Sequence, residues 1–242
     1  MLERSGWPRE FFRNKTVLEC GCGAGPDTEV LLDYGARVVA VDLAIDVARR
    51  NIGDHDRVSF VQGSIANLPF RPQSFDIVWC HRVIQHTPAP RQILEHILSF
   101  VREDGGVFVH SYARSMLQMF RWKYPLRPFT KRISPERLYR FIQWYSEPAF
   151  HLTNWLRRIP FGPGINHVFI PFLNFRHVDK FADLSNAQII EYGIHDTFDA
   201  LSPRYDRPLK HKTMYQIASA KLVQPFEVVD RPGVTLLRTR ID

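Results

Sequence analysis

The chain has 242 residues, of which 45% are hydrophobic and 24% charged, and it carries a formal net charge of +7. That length suits one α/β domain with a full core and is short for two large ones. Three cysteines, Cys20, Cys22 and Cys80, exclude a disulfide framework; no apolar run nears the length that crosses a bilayer, and the start has no signal-peptide core, which predicts a cytoplasmic protein.

The first strand is predicted at 16–20 and runs into Gly21, Gly23 and Gly25. Backbone at such glycines can come within van der Waals distance of a ligand, because a Cβ would fill the ligand's space or forbid a positive φ. A helix over 27–34 opens at Pro26-Asp27, proline being compatible with a first turn. The second strand, 37–42, ends in Asp42, placed to accept hydrogen bonds from ribose hydroxyls. A pyrophosphate fingerprint wants Gly-x-Gly-x-x-Gly. Here the spacing is Gly-x-Gly-x-Gly with Glu19 beside it, and proline stands at 26 where a nicotinamide oxidoreductase needs its third glycine. An extra carboxylate suits a ligand that bears an ammonium and a sulfonium and no phosphate. Cys20-x-Cys22 has no second ligand pair at a usable spacing, so it reads as small residues filling a tight turn, not as a metal site.

A helix follows near 44–51, then strands near 58–62 and 75–80. A helix over 89–101 places Ile93, Leu94, Ile97, Leu98 and Val101 on one face. Asp104-Gly105-Gly106 is read as the turn into a fifth strand, 106–112. This alternation predicts a parallel sheet covered on both faces, with the ligand at the carboxyl ends of the strands. Residues 114–185 are too long for a plain connection and are expected to hold their own helices as an inserted lid. One of these starts at Ser134-Pro135, an N-cap with proline at the first helical position; 161–164 reads as a loop. The chain then returns through a helix near 211–221, a strand at 226–230, a turn at 231–233 and a last strand at 234–239.

Five pieces in order, Val17-Leu-Glu-Cys-Gly-Cys-Gly-Ala-Gly25, Val38-Val-Ala-Val-Asp42, Val61-Gln-Gly-Ser-Ile-Ala-Asn-Leu-Pro-Phe70, Ser74-Phe-Asp-Ile-Val-Trp-Cys80 and Val101-Arg-Glu-Asp-Gly-Gly-Val-Phe-Val109, resemble the class I S-adenosylmethionine-dependent methyltransferases. Within that family the chain is similar to the quinone C-methyltransferase and bacterial small-molecule branch, well over 14–113 and loosely over 186–240. The resemblance implies an α/β fold, a doubly wound seven-stranded mostly parallel sheet with an antiparallel C-terminal hairpin and an inserted, mainly helical lid. The domain would comprise 1–113 and 186–242, the lid 114–185. It further implies S-adenosylmethionine as cofactor, bordered by Glu19, Gly21, Cys22, Gly23, Gly25, Asp42, Leu43, Ser64, Ile65, Cys80 and His81. Ser64 stands where the family usually has an Asp for the adenine amino group. Residues 80–88 would lie under the methionine part and face the acceptor. His81 and His86 are the candidate bases there, imidazole having a suitable unperturbed pKa; a structural loop bond is the competing role for His86, and either role suits His81. Cys80 as a thiolate would need an electropositive setting. Tyr112 is expected as a pocket wall. The stretch His195 to Tyr205 looks like one that recurs after the lid in related methyltransferases, which implies acceptor contacts from Asp199 and Tyr205, with His195 a further base; an ordinary turn explains the same letters.

The positive charge is localised. Residues 114–185 hold twelve Lys or Arg against four Asp or Glu, and the rest of the chain twenty against twenty-one. The same segment holds fifteen aromatic residues. They read as the lid's own core with a solvated basic face, joined to recognition of an anionic amphiphile at a membrane surface; stacking on RNA is the third reading, and no RNA-binding module accompanies it. The expected function is methyl transfer to a small molecule, with oxygen as the foremost acceptor atom and carbon or nitrogen as others. The alternatives are a non-catalytic scaffold, a nicotinamide oxidoreductase and an RNA methyltransferase.

Overall fold

The computed structural model describes residues 5–113, 121–231 and 233–241. The start of the predicted lid, 114–120, and the middle of the predicted turn, Pro232, lie outside the described residues, as do 1–4 and 242. In chain order the elements are β1 Thr16–Cys20, α1 Pro26–Asp33, β2 Arg37–Asp42, α2 Ile45–Ile52, β3 Val58–Gln62, β4 Phe75–His81, α3 Pro90–Leu98 and β5 Val101–Tyr112. Four helices follow: α4 Lys123–Thr130, α5 Pro135–Leu156, α6 Gly162–Phe169 and α7 Asn186–Leu201. The chain closes with α8 His211–Lys221, β6 Phe226–Arg231 and β7 Val234–Thr239. Two compact units result, one of 1–114 with 205–242 and one of 115–204.

In the first unit the seven strands form one sheet in the order β3-β2-β1-β4-β5-β7-β6. The pairs among β1 to β5 are parallel, and β7 is antiparallel to both β5 and β6. The sheet is therefore mostly parallel with an antiparallel closing hairpin. Successive side chains of a strand face opposite sides, and both sides here are dry. Val17, Ile77 and Trp79 bury against Leu31, Leu32 and Ala48 of α1 and α2; Leu18, Cys20, Val78 and Cys80 bury against Leu94 and Ile97 of α3 and Met214 and Ile217 of α8. Near-continuous apolar strands are what burial on both faces demands.

Three local expectations are corrected. The fifth strand begins at Val101, not 106: Phe75 pairs with Val101 and Ile77 with Gly106, so Arg102 to Gly105 form an irregularity inside the strand. Glycine permits this, since a Cβ at Gly105 would stand 2.6 Å from a Val101 methyl and 2.7 Å from the Asp76 carbonyl oxygen. Residues 161–164 are not a loop but the opening of α6, where Phe161 takes a left-handed φ of 62° and Gly162 lies against the Leu156 carbonyl. The stretch from His195 is helical as far as Leu201, where α7 buries Ile194, Thr197 and Leu201, and only Ser202 to Tyr205 lie outside the helix.

The second unit has its own cores. Trp122, Leu138, Ile142, Ile194 and Leu201 form one cluster, and Ala149, Phe150, Phe172 and Ile189 another. Ser134 caps α5 by accepting from the Arg137 N–H, and Ser185 with Gln188 closes a reciprocal capping box on α7. Among the described residues no helix is long and apolar enough to cross a membrane.

Candidate active site

The site of the first unit is built where β1, β2 and β4 end. Gly21, Gly23 and Gly25 all take positive φ, 84°, 55° and 93°, which side chains rarely adopt. The three glycines serve different neighbours. A Cβ on Gly21 would collide with Val83 at 2.5 Å, so this position is closed by protein. Gly23 has nothing within 4 Å of its missing Cβ and is open to a ligand. Gly25 is the N-cap of α1 and packs on Ile52 and Ala48. Asp42 holds the loop: one carboxylate oxygen accepts from the Gly23 N–H at 2.9 Å and the other from the Ala44 N–H at 2.8 Å. Beside it Leu43 is 71% exposed, an unburied apolar surface at the strand tip.

Strand parity decides which side chains join the loop. Glu19 follows Val17 by two and His81 follows Trp79 by two, so both project to the α1 side. Glu19 is 2% exposed and accepts from the Thr28 hydroxyl at 2.6 Å. Burial raises its pKa to about 8, against the lowering effect of the Thr28 bond and with help from Asp27 and Asp42 nearby. At neutral pH the unliganded side chain is therefore largely protonated. Asp27, in the first turn of α1, accepts from Trp79 Nε1 at 2.9 Å and pairs with His81 Nδ1 at 2.7 Å. Burial alone would raise the Asp27 pKa; the His81 bond and charge and the Trp79 bond outweigh it and hold the carboxyl below its usual value. A carboxylate only accepts, so Nδ1 carries the imidazole proton. His81 Nε2 is then left buried with no hydrogen-bond partner among the described residues. His110, its partner across the β4–β5 ladder, meets the His81 ring edge-on at 4.7 Å. Arg82, the next residue, has φ 63° and donates its N–H to the His110 carbonyl; this left-handed step turns the chain so that Val83 covers Gly21.

His86 lies on the same rim, its Nδ1 donating to the Tyr205 carbonyl at 3.1 Å and its ring edge-on to Tyr112 at 5.7 Å. Arg207 fixes that returning segment by donating to the Gln85 and Pro88 carbonyls. Ser64 is exposed and its hydroxyl accepts from the Ala66 N–H at 3.2 Å, while Ile65 is buried. Glu19, the glycines, Asp42, His81, His86, Tyr112 and Tyr205 thus fall in one unit. Asp199 and His195 fall in the other, on α7. Cys80 points to the opposite face of the sheet, where burial raises its thiol to about 12; Cys22 is likewise raised to about 12. Neither offers a thiolate, and Cys80 can border the loop only through backbone. Asp27 and Thr28 were not singled out from the sequence. Their only signal is the helical register, which places both one turn beyond the last glycine.

Residues 18–109 match the family model described as a methyltransferase domain. The chain carries a class I S-adenosylmethionine-dependent methyltransferase domain. Its sequence is 31% identical to the mitochondrial ubiquinone biosynthesis O-methyltransferase of Schizosaccharomyces pombe over 45% of this chain and 42% of that one. It is 30% identical to the ubiquinone biosynthesis O-methyltransferase of Glaesserella parasuis, over 56% and 65%. It is 29% identical to the demethylmenaquinone methyltransferase of Clavibacter sepedonicus, over 60% and 65%. The chain spans less than two thirds of the length of these relatives. The cofactor of a methyltransferase domain of this family is S-adenosylmethionine, and the residues fit it: open backbone at Gly23, a bare apolar side chain at Leu43, and three carboxyl groups around a ligand that is cationic at both sulfur and amino nitrogen.

Proposed function

We propose that this chain transfers a methyl group from S-adenosylmethionine to an oxygen of a small polar or amphipathic acceptor. The observation that carries the reading is the acidic cradle, in which Asp27 and Asp42 both lie close enough to Glu19 to raise its pKa, beside backbone that is open at Gly23. The Asp27 and Asp42 carboxylates, joined by Glu19 once a bound cation favours its ionised form, repel a pyrophosphate and attract a sulfonium, which argues against a nicotinamide dinucleotide here. The names of two relatives as O-methyltransferases support oxygen as the acceptor atom.

The bound cofactor supplies an already activated methyl group, so the protein's tasks are orientation, exclusion of water and proton removal. Asp42, its oxygens fixed by two backbone donors, keeps lone pairs for ribose hydroxyls. Leu43 and Ile65 frame the adenine, with Ser64 beside them. His81 takes the acceptor's proton at Nε2, while Asp27 locks the tautomer that leaves that nitrogen bare and stabilises the imidazolium that forms. His86, tied through Nδ1 to the Tyr205 carbonyl, pins the returning segment; Tyr112 and Tyr205 line the acceptor side.

Calorimetry with S-adenosylmethionine and S-adenosylhomocysteine, paired with release of the latter over a panel of hydroxylated aromatics and sugars, tests this. Both ligands should bind, and Asp42→Ala should weaken them by roughly 1 to 3 kcal/mol, the scale of hydrogen bonds to a charged group. Heat with NAD and none with either sulfur compound refutes the reading. Binding without turnover on any acceptor leaves the scaffold in its place.

A further inference from the structure

We propose that the second unit contains a separate binding site for a phosphate group carried on a small organic molecule, in the cavity between the ends of α5 and α6 and the segment 172–178. This cavity has a volume of about 340 Å³, at the lower end of the range that holds small ligands. Every ionisable side chain that lines it is basic: Arg121, Arg157, His167 and His177.

Among the described residues neither arginine has a carboxylate within 4 Å, although six other arginines do: Arg49, Arg57, Arg91, Arg102, Arg238 and Arg240. Arg157 instead donates to His177 Nε2 at 2.5 Å, and an arginine has no lone pair to give back, so this contact neutralises nothing. Burial lowers the pKa of both guanidinium groups and, with the adjoining arginine, that of both imidazoles. Arg121 and His167 are half-buried and Arg157 and His177 exposed; cations gathered this closely without a counter-charge repel one another, and an anion in their midst removes that cost. Guanidinium forks match phosphate oxygens in pairs.

Two further features say that the anion carries an organic part. Asn166 Oδ1, on the same wall, is buried with no hydrogen-bond partner among the described residues, which asks for a donor such as a hydroxyl. Trp122 and Phe172, both nearly fully buried, give an apolar side. The site needs nothing from the methyltransferase domain, so it stands whether or not the methyl-transfer reading does.

The test is calorimetric titration of the full chain with phenyl phosphate and with inorganic pyrophosphate, beside flotation with vesicles of phosphatidic acid in phosphatidylcholine. Saturable binding is expected. It should fall at least tenfold in Arg121→Gln and in Arg157→Gln, and change less than twofold in Arg158→Gln, an exposed neighbour outside the cavity. S-adenosylhomocysteine affinity, read on the same samples, should be unchanged and reports that each variant is folded. If only the vesicles bind, and Arg157→Gln abolishes it, the phosphate belongs to a lipid headgroup; if the soluble phosphates bind, it belongs to a free metabolite. No binding to any of the three, or an equal loss in Arg158→Gln, overturns the proposal.

Discussion

Glu19 shows how one buried residue can report on the site. Its pKa is about 8 in the folded chain against 4.5 for the free side chain, so folding takes up a proton. The stability linked to that proton is complete below about pH 4.5 and is lost as pH rises through about 8. Thermal melts of the unliganded chain should therefore show wild type losing stability relative to Glu19→Gln between about pH 5 and pH 8; parallel curves would place Glu19 in contact with water. Asp27 works in the other direction, as a carboxylate kept ionised by the His81 and Trp79 bonds. Replacing it with Asn lets the amide oxygen or nitrogen face Nδ1 and frees the tautomer. Turnover should fall by about 10²- to 10⁴-fold, the range of a positioned base, with S-adenosylhomocysteine affinity nearly kept. Glu19 was legible in the sequence because it adjoins the glycines. Asp27 was not, since its partner His81 is 54 positions away and nothing local to either residue announces the other.

Elements were legible where a period or a cap was strong. The first four parallel strands stand close to their expected bounds, because runs of β-branched residues between glycine turns have one reading. Helix α3 ends at Leu98, earlier than its apolar face suggested, because Val101 is drawn into the sheet opposite Phe75. Helix α7 shows the reverse. The acids, serine and proline near its end read as a turn, yet the capping box at Ser185 starts a helix that burial of Ile189, Ile194 and Leu201 carries through Asp196 and Asp199 to stop only at Ser202. That cap has a measurable worth. Ser185→Ala removes the acceptor for the Gln188 N–H, and urea denaturation should register a loss of about 1 kcal/mol; a loss near zero would mean that tertiary packing alone fixes the start of α7.

At the scale of the whole molecule, two units hold separate cores. A cavity made in one should spare the other. Phe150, 1% exposed and packed with Phe172 and Ile189, gives the test: Phe150→Ala should cost the unit of 115–204 about 3 to 5 kcal/mol. Binding of S-adenosylhomocysteine to the first unit should survive, whereas joint loss would show the two folding as one. The amino-acid sequence by itself determined the sheet, its closing hairpin and the acid-flanked glycine loop. These depend on period, turn chemistry and residues adjacent along the chain. Only the tertiary structure decided which glycine is open to a ligand and which faces Val83, that His81 is held by Asp27, and that two arginines with no carboxylate partner among the described residues converge in the second unit. Such facts depend on which side chains meet across distant segments, and burial sets their energies; neither the meeting nor the burial is encoded in any short stretch.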